Sequence, residues 1–559
     1  MKKLIATLLA LICVIGIFAG CSKTPDATKP NETKGPNDPA KKEVITIGLP
    51  VNTNVEDYET NALTLWIEEQ TGYDLTFQIY ASSAADYKTQ LATQLLDPSV
   101  KLPDMLWRMS SLGDNVWKQY GEDGYFISLS PYFNDKEKSK VWWDRVSMFD
   151  EAFITNVLRR CTADNGEIYV YPNIERGLID SANYLVSINK VWLDKVGMAA
   201  PTNTDELYDV LKAFKEKICV DSTYHPLLGG SASYIGGDPL WWIISMFCPG
   251  YDYDRRWSLS ADGTKIEAPF MTEEYREALI YIKKLIDEGL LSDAIFSISA
   301  TELRNAINYK EGSRVGVLVA HATVGFNDLD NPNLYDYVPL DLYGFCQRAE
   351  YGNSRGQFIT EDAANPDACW EILMLLASEE GAYRVRYGAE GTNWVWCKDE
   401  GLKSYMGLDC DIKLIDDPFG RIGNVIHGSA SPTVNPNAES ETCYLGELSE
   451  WMQARYDLNG GNYQNFCKQE KKNKYTMPVI VLTQEETEEN KNERSNVGNV
   501  INTYRTKFCK GTDGLDITKD ADWQEYIDEL YAMGLQVYID QMQSVYDARY
   551  KEAVLAAAK

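Results

Sequence analysis

The chain has 559 residues, with 54 basic against 83 acidic side chains and a formal net charge of -29. A charge of that sign excludes nucleic acid as a partner, because phosphates demand Lys and Arg. It also speaks against a polyanionic ligand unless a local basic group opposes the mean. One hydrophobic core fills at most roughly 250–300 residues, so more than one lobe is expected.

Lys2 and Lys3 open the chain, and Leu4 to Phe18 is apolar. That run is too short for a comfortable membrane span, which takes about 20 residues, and it has the layout of a secretory signal peptide, residues 1–20. Phe18-Ala19-Gly20-Cys21 resembles a bacterial lipobox, which makes Cys21 the lipidated residue. Ser22 to Lys42 holds four prolines and no large apolar side chain. It cannot offset its own ordering entropy, so residues 21–42 read as a disordered tether. No later stretch reaches eighteen apolar residues, and no second span is expected.

The body then alternates. Val44–Leu49 reads as a strand, Tyr58–Gln70 as a helix ended at Gly72, Asp74–Tyr80 as a strand, Ala85–Asp97 as a helix and Asp104–Trp107 as a strand. Such alternation signals a parallel sheet with crossover helices. Ile168–Val170 and Tyr184–Ile188 read as further strands. Asn189–Val196 and Pro201–Lys217 read as helices, the second with a capping box from Thr202 and Asp205. Thr272 caps a helix over Glu273–Glu288, Val315–Ala320 is a continuous apolar strand, Asp367–Ser378 is helical, and Trp523–Arg549 is one long helical region.

Of twelve cysteines, Cys13 and Cys21 fall in the leader, and the remaining ten form no C-x-x-C pair, so no zinc ribbon or thioredoxin-type site is indicated. Their pairing is not readable from spacing. Aromatic residues make up 12% of the chain, with 14 Trp and 35 Tyr. Flat apolar faces suit the C–H faces of sugar rings, which hints at a sugar ligand.

Several segments together resemble the family 1 extracellular solute-binding proteins, and most of all their large Gram-positive lipoproteins. These are Trp66-Ile67-Glu68-Glu69-Gln70-Thr71-Gly72, Leu102-Pro103-Asp104-Met105, Gly124 to Leu129, Gly166-Glu167-Ile168-Tyr169 with Pro172, Ile188 to Leu193 with Gly197 and Pro201-Thr202, Tyr281 to Leu291, Tyr387 to Gly391, and Trp523 to Tyr550. They stand in the family's order across nearly all of Glu43 to Tyr550. Two positions depart from it: Thr202-Asn203-Thr204 replaces Thr-Thr, and His321 stands where an aromatic is commoner. The resemblance implies an α/β two-lobe periplasmic-binding-protein fold of type II. Each lobe would be a mostly parallel sheet flanked by helices, with a hinge between lobes and extra C-terminal helices. Lobe 1 is expected at 43–170 and 310–380, and lobe 2 at 171–309 and 381–559. It implies a monomer without cofactor or metal, which captures a solute and delivers it to ABC permease subunits at the outer face of the cytoplasmic membrane.

Open α/β sheets bind ligands beyond the carboxyl ends of their strands. Trp107 and Arg108 follow the third strand, although Trp107 reads equally as core. Tyr234, Trp241 and Trp242 lie in a glycine-rich stretch expected to be a loop lining the cleft. Trp394 and Trp396 would share a face if extended. Arg176 and Asp180 could bond hydroxyls, and His321 follows its strand; Trp192 is assigned to packing. These ten residues, Trp192 excepted, are the expected ligand contacts, and an oligosaccharide is the expected ligand. The rival is a surface glycoside hydrolase, which needs only two carboxylates; peptides and other solutes are further alternatives. Gly352-Asn353-Ser354-Arg355-Gly356 matches G-x-S-x-G, but extended residues follow it where a nucleophile elbow needs a helix. G-x-G-x-x-G, a P-loop and H-E-x-x-H are absent.

Overall fold

A computed structural model describes residues 42–557 apart from 148–150, 176–183, 231–236, 249–255, 329, 345–355, 405–406, 419–421, 429–430, 436–442, 471–474 and 476. The leader, Cys21 and the tether, together with the G-x-S-x-G serine, Arg176, Asp180 and Tyr234, therefore lie outside the described residues.

The first sheet grows from the alternation read in the sequence. Val44–Pro50 pairs in parallel with Asp74–Tyr80 over its full length, from Val44↔Asp74 to Pro50↔Tyr80, and with Met105–Leu106 on its other side. Phe358–Ile359 closes the order as an antiparallel edge against Met105–Leu106. The crossovers are the helices Ala62–Thr71 and Ala84–Leu95. The first is capped by the Asn61 side chain on the Leu63 N–H and ends at Gly72 in the left-handed region, where a Cβ would be strained. Ile45, Ile47 and Leu49 bury one face of this sheet with Trp142, Ile372 and Leu373. Leu106, Leu91, Trp117 and Phe358 fill the other.

The second sheet has the order Tyr337–Pro339, Val186–Asn189, Val315–Val319, His225–Leu228. Val186–Asn189 runs antiparallel to both neighbours, and only His225–Leu228 is parallel to Val315–Val319. The mostly parallel expectation thus gives way to a mixed sheet here. Backbone pairing also draws Val315–Val319 and Tyr337–Pro339 to this sheet, although 310–380 was expected with lobe 1. Within that range Phe358–Ile359 joins the first sheet and Pro366–Ala377 joins its core. Residues 381–559 divide as well. Trp394–Trp396, Ile412–Leu414 and Cys443–Tyr444 form a small separate sheet with a core of Tyr383, Tyr387, Trp394 and Leu414.

The long helix Glu450–Glu470 packs Tyr456 into that small core, Trp451 and Leu458 under one face of the second sheet, and Tyr463 and Phe466 over the other. The last helices, Lys491–Lys510, Asp520–Ala532 and Leu535–Arg549, join the second sheet's large core through Ile501, Phe508, Trp523, Leu530 and Tyr546. The helical region 523–549 consists of two helices that meet at Gly534, with φ +97. A Cβ on Gly534 would sit 2.5 Å from Glu493 Cγ. Residues 484 and 550, outside these two helices, make polar contacts with residues 164 and 159. Gln484 N–H donates to Asp164 at 2.5 Å, and the Tyr550 ring lies 4.6 Å from the Arg159 guanidinium.

Two further expectations shift locally. Ile168–Val170 makes only a single bridge, Thr162↔Ile168, and the strand falls at Ile174–Glu175, paired with Val434–Asn435. The helix Thr204–Lys217 is capped by Asn203 on the Glu206 N–H, and Glu206 accepts from Thr202. The box is displaced by one residue because Asn is the better cap. Cys161, Cys369 and Cys509 are free thiols.

Trp242 measures how much the second core depends on one side chain. It is fully buried, and its indole N–H donates to the Leu342 carbonyl at 2.7 Å. Trp242→Ala is expected to cost roughly 3–5 kcal/mol from cavity and transfer terms. Scanning calorimetry should register this as a lower Tm, and an unchanged thermogram would contradict the packing.

Candidate functional site

Five stretches distant in sequence meet beyond the carboxyl ends of the first sheet's parallel strands. Val44–Pro50 runs out to Asn52, and Met105–Leu106 runs out to Trp107 and Arg108. Both exits are tied to His427. The Asn52 amide donates to the His427 carbonyl at 3.2 Å, and Arg108 Nη1 donates to the same oxygen at 3.1 Å. A Cβ on Gly428, φ +91, would lie 2.0 Å from Asn52 Nδ2, so only glycine permits this approach. Gln357 joins the remaining stretches. Its carbonyl accepts from Tyr171 N–H at 2.9 Å, its side-chain oxygen accepts from Arg108 N–H at 3.0 Å, and Gly356 O accepts from Met109 N–H at 3.0 Å. Asn173 accepts from Thr433 N–H at 2.6 Å, and Thr433 O accepts from Ile174 N–H at 3.1 Å.

Buried polar atoms are left unpaired along this junction. They are Trp107 Nε1, Arg108 Nε, Tyr171 Oη, Asn173 Nδ2, His427 Nδ1 and Thr433 Oγ1. An unmade buried hydrogen bond costs about 1–3 kcal/mol, so such a cluster suits a hydroxyl-rich solute or ordered water. Its chemistry is mixed: indole, amide and guanidinium N–H donate, phenol and threonine hydroxyl do either, and His427 accepts. The last role follows from its neighbour. Thr64 gives its one hydroxyl proton to the Tyr58 carbonyl at 2.6 Å. His427 Nε2, 2.8 Å from that hydroxyl, must then be the donor, which leaves Nδ1 as a bare lone pair. Burial, and then the Arg108 charge, hold the His427 pKa down at about 3, so the ring is neutral. Its edge packs against Tyr58 and Phe77, with Trp107 tilted beside it at 6.2 Å.

The second sheet offers a corresponding edge. His321 follows Val315–Val319 as the buried first residue before a short helix. Asn459 accepts from Ala322 N–H at 2.5 Å and donates to Thr323 at 2.9 Å. The Arg455 guanidinium donates to the Thr323 carbonyl and leans over Trp451. Gly229 and Gly237 come against the Val319 carbonyl, where a Cβ would lie at 3.0 and 2.4 Å.

Of the expected contacts, Trp107 and Arg108 stand at the junction. Trp241 and Trp242 do not line a loop: they lie on the helix Pro239–Phe247, capped by Asp238, and both are buried in the large core. The apolar run Leu240–Ile244 favours helix packing over the loop that the flanking glycines suggested. Trp394 and Trp396 share a face, with rings 5.0 Å apart against Tyr383, in the small sheet. Trp394 is fully buried and donates to the Gly388 carbonyl. Trp192 is core. Sequence reading missed Tyr171, Asn173, Gln357 and Thr433. Nothing in their local pattern marks them, since long-range pairing brings them together.

No family model matches the chain. It is 24% identical over 406 residues to the fructooligosaccharide ABC transporter substrate-binding protein FusA of Streptococcus pneumoniae, covering 69% of this chain and 70% of that one. The FusA–kestose structure superposes with a TM-score of 0.68 at 18% identity, covering 90% of this chain and 99% of FusA. In fold the chain is similar to these two-lobe solute-binding proteins. Lipoprotein LipO of Bacillus subtilis is 32% identical over 174 residues, 30% of each chain. The polygalacturonan/rhamnogalacturonan-binding protein YtcQ of the same organism is 31% identical over 147 residues, 24% of this chain and 26% of YtcQ. These two matches thus span under a third of either relative. A human-milk-oligosaccharide (HMO)-binding solute-binding protein of Bifidobacterium longum infantis has the same fold, with a TM-score of 0.67 at 16% identity over 91% of this chain and 99% of its own.

In the unfolded chain His427 takes a proton below about 6.5, but in the folded one only below about 3. Acid therefore favours the unfolded chain across that window. Stability should fall as pH drops from 6.5, by up to about 1.4 kcal/mol per unit from this residue. Denaturant titrations at pH 7 and pH 5 check this. His427→Gln should show a shallower slope, and an unchanged slope would mean the ring is not buried neutral.

Proposed function

We propose that this protein captures an oligosaccharide outside the cytoplasm and passes it to an ABC importer without making or breaking a bond. The observation that carries the reading is the row of unpaired buried donors and acceptors at the carboxyl end of the first sheet, where distant stretches of the chain meet. Sugar hydroxyls both donate and accept, and this set offers both. The unpaired atoms are indole, amide, phenol, hydroxyl, imidazole and guanidinium groups. A glycosidase would instead need a carboxylate pair flanking the bond, which favours capture over the hydrolase reading. Named relatives that bind fructooligosaccharide and polygalacturonan support a glycan over a peptide.

Mechanically, a solute contacting groups on both lobes binds the closed arrangement better than the open one. Binding is then a population shift, and the altered outer surface is what a permease reads. Among the described residues no helix is long and apolar enough to cross a membrane. Cys21, lipid-modified after removal of residues 1–20, would hold the body at the membrane through the tether.

Isothermal titration calorimetry against a panel of neutral and acidic oligosaccharides should find a binder. The same binder should reduce the radius of gyration in solution scattering. Silence across every glycan would move the reading to peptides or other solutes. The anchor is checked separately: cells given an alkyne fatty acid should label the full-length protein, and Cys21→Ser should abolish the label.

A further inference from the structure

Arg108 is unlike the other inward-facing guanidinium groups. Arg276 pairs with Asp520 at 2.8 Å, Arg384 with Glu380 at 2.7 Å, and Arg386 with Asp417 at 3.5 Å. Arg145 and Arg455 lie in the fields of Glu379 and Asp417 respectively. Arg314 sits between the rings of Tyr224 and Tyr309. Arg108 donates to the neutral His427 carbonyl and shares a hydrogen bond with the Tyr58 phenol, so neither partner carries a charge. No carboxylate among the described residues forms an ion pair with it. Burial lowers its pKa with no acid to restore it. In a chain with 83 acidic side chains an unmatched inward cation does not arise from a shortage of partners.

Its placement is also held under strain. Arg108 has φ +64, the left-handed region that costs a non-glycine residue about 1–2 kcal/mol. Gln357 clamps its N–H in that conformation. The side chain is thereby turned to the junction where the other unpaired groups stand. Leaving a partly buried charge unpaired is unfavourable, and a carboxylate held by the guanidinium fork gains two parallel charge-assisted hydrogen bonds.

We infer that the captured oligosaccharide is acidic, and that a uronic acid carboxylate of the solute pairs with Arg108. This rests on the capture reading and narrows it. The acidic bulk of the protein does not oppose it, because exposed charges beyond about 8–10 Å are screened at physiological salt. The direct pair at Arg108 is not. Methyl esterification of the same glycan keeps its shape and hydroxyl pattern but removes the charge, so it isolates the contribution of this pair.

The test uses the full mature chain and needs no variant to be decisive. Calorimetry would compare oligogalacturonate, oligomannuronate and oligoglucuronate trimers and tetramers with their methyl esters and with neutral trimers such as maltotriose and kestose. The expected result is that one acid binds at least tenfold more tightly than its ester. Arg108→Gln should reduce affinity for that acid to within about threefold of the same variant's affinity for the ester. Arg108→Lys should retain part of the preference, since it keeps the charge and loses the fork. If an ester or a neutral glycan binds as well as every acid, acidic recognition is overturned while capture stands. If Arg108→Gln weakens acid and ester equally, Arg108 only holds the His427 turn and the pairing is overturned. If nothing on the panel binds, both readings fall together.

Discussion

One buried glutamine holds the working end of the molecule together. Gln357 is fully buried, and it ties Tyr171 through its carbonyl and Arg108 through its side chain. Buried polar groups must find partners. Because Gln357 satisfies backbone atoms from two other stretches, each stretch is fixed by the other's need. The left-handed turn at Arg108 persists only because this clamp determines it. Without it the residue would relax to the broad extended basin, and the unpaired groups of Trp107 and Arg108 would no longer face the same space.

Much of the scaffold was legible in the sequence because it is local. Val44–Pro50, Asp74–Tyr80 and the helix starting after Thr272 declare themselves through side-chain period and caps, and the structure has them where the period put them. The mixed direction of the second sheet was not legible. Strand direction depends on how the chain returns, and Val186–Asn189 carries the same apolar signature either way round. The migration of Val315–Val319 to the second sheet has the same origin. A five-residue apolar strand states that it is buried, not which neighbours bury it. The site divides likewise. Trp107 and Arg108 follow from the rule that ligands gather where parallel strands end. Tyr171, Asn173 and Thr433 acquire meaning only when Ile174 and Val434 pair across 260 residues.

Charge gives the site a different character from the bulk. Most ion pairs here are exposed, such as Lys138–Asp367 and Lys403–Asp409, and contribute at most about 1 kcal/mol each. They keep an acidic surface hydrated without shaping recognition. At the junction the arrangement is reversed. His427 is kept neutral by burial and by the adjacent cation, so Arg108 stands as a fixed positive charge beside the neutral hydrogen-bonding groups of Trp107, Tyr171, Asn173, His427 and Thr433. Such a setting discriminates between ligands that differ by one ionised group more sharply than between ligands that differ by one hydroxyl, because the charged pair acts at short range in a partly dry space.

The last helices lend their bulk to one lobe and only a few polar handles to the other. Their apolar faces pack in the second sheet's core, whereas Gln484 N–H donates to Asp164 and the Tyr550 ring lies against the Arg159 guanidinium. Contacts of this kind exchange readily with water, unlike buried apolar surface. The tail of the chain is thus held to the second sheet by buried apolar surface and to Asp164 and Arg159 by polar contacts alone among those named, so the two attachments differ in how strongly water competes with them.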